Sequence, residues 1–172
     1  MLIMTVNNSG EQEFFLKHLK PHMRVLEWGS GASTSAIAPH VRELVSIENN
    51  SEWHEKVKAT LPDNVTLCYV PANSEPKPEY DDGTFEDFRD YVEHPLQFVQ
   101  QDAARFDFIF IDGRARVACA QMCKQVGHVK TIVFIHDFNH PDEKYLRREY
   151  FAAEKYLKRI GGIFTMWRFK IR

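Results

Sequence analysis

Two short runs of the chain, residues 106–111 and 131–135, are apolar on both faces that a β-strand would present. A strand with one face in water alternates apolar with polar residues, whereas a strand covered by helices on both sides is apolar throughout. The two runs therefore predict parallel strands at the centre of a sheet that lies between two helical layers.

Three more strand patterns precede these runs and are separated from one another by helical patterns. Strands are predicted over residues 24–27, 43–47 and 65–70, and the spacing of apolar residues predicts helices over residues 9–21, 32–38 and 53–61. Strands that alternate with helices predict an α/β fold, here a doubly wound, mostly parallel, Rossmann-like sheet in a three-layer αβα sandwich.

The C-terminal part of the chain carries a different pattern. A charged amphipathic helix is predicted over residues 142–158, followed by a turn at Gly161 and Gly162 and a terminal strand over residues 163–171. The 172 residues correspond to the length of one domain. We therefore expect residues 1–172 to form a single domain with one hydrophobic core.

Charge and hydropathy narrow the class of partner. The 22 basic and 24 acidic side chains give a net charge of -2, which supplies no electrostatic reason to bind DNA or RNA. No stretch approaches the ~18 apolar residues of a membrane span, and the first residues lack the basic lead of a secretory signal. We expect a cytoplasmic protein that acts on a small-molecule substrate, with no nucleic-acid and no membrane partner.

Residues 71–101 form an unusually long connection between the third and fourth predicted strands. Connections in compact domains have a median of about 4 to 6 residues, and much longer ones are commonly functional or disordered. The segment is rich in proline, acidic and aromatic residues. Two interpretations stay open, a lid-like insert that is partly helical around residues 84–92 or a surface insert without that role.

The first predicted strand leads into a glycine turn with an acid before it. Glu27 lies at the strand end, and Gly29, Ser30 and Gly31 form the turn at the start of the next helix. Glycines at the carboxyl edge of a parallel sheet let the backbone approach a ligand closely. The turn alone also fits a dinucleotide-binding oxidoreductase, although Thr34 stands in the place of the third glycine of that fingerprint.

A second acid, Glu48, follows the second predicted strand about twenty residues further on. A carboxylate in this position can accept hydrogen bonds from both hydroxyls of a ribose. The alternative role is that of a helix cap in the loop before Ser51. We favour the ribose because Glu48 lies at a strand end beside the glycine turn.

The segments VLEWGSGAS, SIENN and FDFIFIDG together resemble the class I S-adenosylmethionine-dependent methyltransferases, and the resemblance extends from Arg24 to about Asn139. It implies S-adenosylmethionine as the cofactor. It also implies that the glycine loop holds the methionine part, that Glu48 binds the ribose and that Asn49 lies beside adenine. The cofactor-binding residues that the resemblance implies are Glu27, Gly29, Ser30, Gly31, Ser33, Glu48, Asn49 and Asp112.

Asp112 ends the fourth predicted strand and His136 and Asp137 end the fifth, so the three side chains meet near the reacting centre if these strands are neighbours. The Asp-Gly sequence at Asp112 resembles small-molecule O-methyltransferases, which implies methylation of a hydroxyl group on a sugar or natural-product-like substrate. Two mechanisms stay open. His136 or Asp137 acts as a general base, which we favour, or Asp112, His136 and Asp137 hold a divalent metal ion, for which histidine is a poor ligand if the ion is Mg²⁺.

Several further interpretations stay open. Arg114 and Arg116 either bind an anionic group of the substrate or form ion pairs with nearby acids. For Asn139 and His140, a role at the site and a purely structural role are equally open. The resembling family usually ends its sheet in a hairpin of two strands, and only one is evident here. This leaves the sheet edge exposed, and pairing with a second copy of the chain, as a homodimer, is one way to cover it. A noncatalytic cofactor-binding partner subunit is the remaining alternative to an enzyme.

Overall fold

The computed structural model describes residues 9–75, 78, 81–102, 104–138 and 148–172. Within these ranges, seven strands form one sheet in the order β3-β2-β1-β4-β5-β7-β6, and β7 alone runs antiparallel to its neighbours. The predicted doubly wound, mostly parallel sheet is confirmed. The strands are β1 (Arg24–Trp28), β2 (Glu43–Glu48), β3 (Val65–Tyr69), β4 (Phe106–Ile111), β5 (Gly127–Ile135), β6 (Leu157–Ile163) and β7 (Met166–Ile171).

Helices cover both faces of this sheet. The α-helices are α1 (Ser9–Leu16), α2 (Ala32–Ile37), α3 (Ser51–Lys58), α4 (Arg89–Glu93), α5 (Leu96–Asp102) and α6 (Arg116–Val126). Short 3₁₀ helices span Ala38–His40, Glu86–Phe88 and Arg148–Lys155. None of the helices in the described part of the chain has both the length and the hydropathy that a membrane span needs.

The central strands are buried on both faces, as their apolar sequences predict. On one face, Phe15 of α1 packs against Phe110 of β4, with ring centroids 4.9 Å apart. On the other face, Leu26 and Ile109 belong to the same cluster of buried residues as Cys119 of α6. Each fully buried large apolar side chain contributes about 1.5–3 kcal/mol, so the two layers fix the position of β1 and β4.

The C-terminal prediction is wrong in two respects. Residues 139–147 lie outside the described ranges, but the remainder of the predicted helix is a 3₁₀ helix that gives way to β6 at Leu157. Gly161 and Gly162 lie inside β6, next to an irregularity in its pairing with β7, and not in a turn. The ring of Trp167 occupies the space that a side chain at Gly162 would need, so Gly162 serves packing within the hairpin.

The second strand of the terminal hairpin, which the sequence does not predict, is therefore present as β6. β7 pairs with β5 on one side and with β6 on the other, so the edge of β5 is covered within the chain. This finding removes the argument for a homodimer, which depended on an uncovered edge.

The long connection between β3 and β4 is partly helical, as predicted. Phe88, Tyr91 and Val92 are buried in the core, and the indole N–H of Trp28 donates to the backbone carbonyl of Tyr91 at 3.1 Å. This part of the connection is thus fixed to the end of β1, and the role of the segment as a lid remains a prediction.

Gly29, directly after β1, has a conformation that only glycine adopts without strain. Its φ is +93°, and an added Cβ would lie 2.5 Å from the backbone nitrogen of Gly113, which follows β4. The turns after the two central strands therefore touch through their backbones at this point.

We expect Gly29→Ala to lower the free energy of unfolding by about 2 kcal/mol or more, because both the positive φ and the backbone overlap oppose a side chain. Urea denaturation measures the effect. Gly161→Ala is the matched control, since a Cβ there meets no atom within 4 Å. Equal stabilities of the two variants would contradict the account of Gly29.

Candidate functional site

Polar side chains collect at the carboxyl edge of the four parallel strands β2, β1, β4 and β5. Since adjacent parallel strands end at the same edge of a sheet, the residues after them meet there. The backbone N–H of Gly29 donates to the carbonyl of Ile47 at 2.8 Å, that of Asp112 donates to Trp28 at 2.9 Å, and that of His136 donates to Ile111 at 3.0 Å. The predicted convergence of these strand ends is confirmed.

The glycine loop after β1 is held by hydrogen bonds from its own backbone. The N–H of Ser30 donates to Oε2 of Glu48 at 2.9 Å, and the N–H of Gly31 donates to Oγ1 of Thr34 at 2.8 Å. The loop is therefore ordered by the residues around it before any ligand is considered.

Glu27 lies beneath this loop and is fully buried. Its carboxylate accepts hydrogen bonds from the hydroxyls of Ser33 at 2.5 Å, Thr34 at 2.6 Å and Ser46 at 2.6 Å. Burial raises the pKa of Glu27 to about 7, although these three hydrogen bonds act in the opposite direction. The side chain of Glu27 is thus directed at the hydroxyls that support the loop.

Glu48 joins the end of β2 to the glycine loop. In addition to the bond from Ser30, its Oε1 accepts a hydrogen bond from the N–H of Asn50 at 2.7 Å, and burial raises its pKa. The capping role at α3 belongs to Asn50, whose side chain accepts from the N–H of Trp53 at 2.9 Å. The backbone of Asn49 also donates to this carboxylate, and since a carboxylate offers about four acceptor positions, Glu48 retains about one for a further donor. Asn49, next to it, is half-buried.

Asp112, His136 and Asp137 form a compact cluster at the ends of β4 and β5. Nδ1 of His136 lies 2.8 Å from Oδ1 of Asp112 and 3.7 Å from Oδ2 of Asp137. Asp137 follows His136 just beyond the end of β5, and its φ is +53°, in the left-handed region. The three side chains remain partly accessible, with 28–32% of each exposed.

Arg116, from the first turn of α6, contributes positive charge to this cluster, and its Nη1 also lies 3.4 Å from Oδ1 of Asp82. Nη2 of Arg116 lies 3.5 Å from Oδ1 of Asp112 and 3.6 Å from Oδ2 of Asp137. Burial raises the pKa of Asp112, but His136 and Arg116 outweigh it and hold that pKa below its usual value. The ion-pair interpretation of Arg116 is thus supported, and Nη1 of Arg114 donates to the backbone carbonyl of Asp81 at 2.7 Å.

One ligand atom from each of Asp112, His136 and Asp137 can be chosen so that all lie within 4.8 Å of one another. Two carboxylates and one imidazole suit a transition metal better than magnesium. The guanidinium of Arg116 also lies within 4 Å of both carboxylates, and it shares its charge with the carboxylate of Asp82.

Two acids next to the cluster were not predicted from the sequence. Oε1 of Glu11, in α1, accepts hydrogen bonds from the backbone N–H groups of Thr165 and Met166, and its Oε2 lies 3.4 Å from Nε2 of His136. Asp82 accepts from the backbone N–H of Arg116 at 2.7 Å. Both contacts join distant parts of the chain, and no local motif indicates them.

Asn139 and His140 lie outside the described residues.

Comparisons with known proteins identify solved structures of the same fold. A methyltransferase-like protein from Silicibacter pomeroyi is 22% identical, with 100% of this chain and 88% of that one covered, at a TM-score of 0.67. MtNAS, solved as a mutant in complex with S-adenosylmethionine, is 9% identical over 94% of this chain and 62% of its own, at 0.59. The N-methyltransferase NodS from Bradyrhizobium japonicum is 12% identical over 96% and 99%, at 0.54.

These similarities confirm the Rossmann-like methyltransferase fold that the sequence predicts. No protein-family model matches the sequence, and the search of curated proteins finds no match.

The charges around His136 determine the pKa of its ring. Burial lowers its pKa, but Asp112, Asp137 and Glu11 together raise that pKa to about 9, and Arg116 is the cation that faces them. Because the pKa of His136 in the folded protein lies above its unfolded value of about 6.5, the protonated ring stabilises the folded state. This contribution to the free energy of unfolding is complete below pH ~6.5 and is lost as the pH rises through about 9. An NMR titration of the His136 ring should give this pKa, and Asp112→Asn should lower it.

The same titration tests whether the cluster holds magnesium. If Arg116 and the imidazolium balance the carboxylates, millimolar magnesium leaves the His136 resonances and their pKa unchanged. A ring that titrates near its ordinary value, or resonances that move when magnesium is added, would contradict this description of the charges.

Proposed function

We propose that this protein is an S-adenosylmethionine-dependent methyltransferase that methylates an oxygen atom of a small hydroxylated substrate, of the sugar or natural-product type. The observation that carries the proposal is the hydrogen bond between Ser30 and Glu48, which brings the glycine loop and the acid at the end of β2 together. Asp112 lies at the adjacent end of β4. The solved structures of the same fold include one with bound S-adenosylmethionine, which supports this choice of cofactor.

The proposed cofactor site uses the loop and the three strand ends. Glu48 accepts from the ribose hydroxyls at the acceptor position that its three backbone donors leave, and Asn49 lies beside adenine. Gly29, Ser30 and Gly31 let the methionine part approach the backbone, while Glu27 and Ser33 support the loop from below. Asp112 stays ionised because of His136 and Arg116, so its carboxylate can face the positive sulfonium.

Methyl transfer is a displacement at carbon, in which the acceptor oxygen bonds to the methyl group while the bond to sulfur breaks and sulfur keeps the electron pair. The hydroxyl proton must leave the acceptor, and His136 or Asp137 is the proposed base. A pKa of about 9 leaves His136 mostly protonated at neutral pH in the unliganded site, so it must lose a proton before it can act as the base. Oδ2 of Asp137, the other candidate, lies 3.7 Å from Nδ1 of His136. We propose a metal-free reaction because Arg116 already supports both carboxylates.

The alternatives are an NAD-binding oxidoreductase and a noncatalytic partner subunit that binds the cofactor. The antiparallel β7, between β5 and β6, differs from the Rossmann order 3-2-1-4-5-6 of dinucleotide-binding sheets and disfavours the first. The partly accessible Asp112, His136 and Asp137 disfavour the second, since a scaffold has no need of clustered charges beside a cofactor loop. A net charge of -2 continues to favour a small molecule over a nucleic acid as the acceptor.

We expect the protein to bind S-adenosylhomocysteine in isothermal titration calorimetry and to show no heat with NAD. Glu48→Gln should weaken the affinity by about 10- to 100-fold, because hydrogen bonds to a charged acceptor are worth about 1.5–3 kcal/mol. Glu55→Gln, on the exposed side of α3, is the control and should bind as the original protein does. Binding of NAD, or affinity for S-adenosylhomocysteine that Glu48→Gln leaves intact, would contradict the proposed cofactor site.

A further inference from the structure

We propose that Trp53 is a positioning residue for the glycine loop and thereby sets the affinity for the cofactor. The inference rests on the proposed function, because it assigns to Trp53 the orientation of the backbone that receives S-adenosylmethionine. Trp53 lies in the first turn of α3 and belongs neither to the loop nor to the residues that the sequence motifs indicate.

The indole N–H of Trp53 donates to the backbone carbonyl of Ser30 at 2.5 Å. The backbone N–H of the same residue donates to Glu48 at 2.9 Å. The N–H and the carbonyl of one loop residue are therefore both held, the first by the last residue of β2 and the second by the helix that follows it. With both groups fixed, Ser30 cannot rotate its peptide planes without breaking a hydrogen bond, so the loop is ordered before a ligand arrives.

The position of the indole is itself fixed. The side chain of Asn50 accepts from the backbone N–H of Trp53, which orients the first turn of α3, and Nζ of Lys56 lies 5.5 Å from the ring centroid. A Cβ added at Gly31 would lie 3.4 Å from Nε1 of Trp53, at the near limit of ordinary van der Waals contact. Gly31 has extended backbone, so a methyl group there would touch the indole without strain from its φ.

These contacts make the pair of Gly31 and Trp53 testable by a double-mutant cycle. Trp53→Phe keeps an aromatic ring but removes the donor to Ser30, and we expect affinity for S-adenosylhomocysteine to fall about 5- to 10-fold. Gly31→Ala places a methyl group in contact with the indole in the original protein but not with the smaller ring of Trp53→Phe, so its effect on affinity should be larger in the original protein than in that variant. The two effects are thus expected to be non-additive.

Trp167→Phe is the matched control. The indole nitrogen of Trp167 is buried and has no hydrogen-bond partner in the described part of the protein, so the same substitution there removes no bond. We expect this variant to bind S-adenosylhomocysteine with an affinity within about twofold of the original. Thermal unfolding of each variant separates a loss of folding from a loss of affinity.

NMR of the unmodified protein supplies a readout that does not depend on how well Trp53→Phe folds. S-adenosylhomocysteine should shift the indole N–H resonance of Trp53 and leave that of Trp167 in place. If the original protein binds but Trp53→Phe binds equally well, or the Trp53 resonance does not respond, the positioning role is overturned while the proposed function stands. If the original protein does not bind S-adenosylhomocysteine, the proposed function fails and this inference fails with it.

Discussion

The hydrogen bond from the backbone N–H of Ser30 to the carboxylate of Glu48 is the contact on which the candidate site depends. It joins the turn after β1 to the end of β2, and it forms only because these neighbouring strands are parallel and end at the same edge. The apolar strands beneath them make this edge rigid, because both faces of the sheet are packed against helices. A small shift in strand register would therefore separate the loop from its acid.

Burying charge at this edge has a cost that the surrounding residues offset. Glu27 is fully buried, and burial raises its pKa. Three hydroxyl donors limit this rise, so that the pKa is about 7. At the other end of the site, Arg116 and His136 neutralise Asp112 and Asp137. The end of the site at Glu27 is thus supported by hydroxyl groups and the end at Asp112 by ion pairs.

The parallel strands and the convergence of Gly29, Glu48 and Asp112 could be predicted because they follow from short patterns along the chain. The hairpin was misjudged because glycine is typical of turns, whereas Gly162 lies in a strand where the ring of Trp167 needs the space. Glu11 was missed because its contacts with Thr165 and Met166 span about 150 residues and leave no local signal. The enclosure of Glu27 likewise depends on Ser46, from a different strand.

The central claim is that Glu48 and the glycine loop together hold S-adenosylmethionine beside Asp112. A crystal structure of the protein with S-adenosylhomocysteine tests it most directly. We predict that the ribose hydroxyls lie within hydrogen-bond distance of the Glu48 carboxylate and that the sulfur faces Asp112 and His136. A ligand bound elsewhere on the chain, or one whose ribose points away from Glu48, would contradict the account.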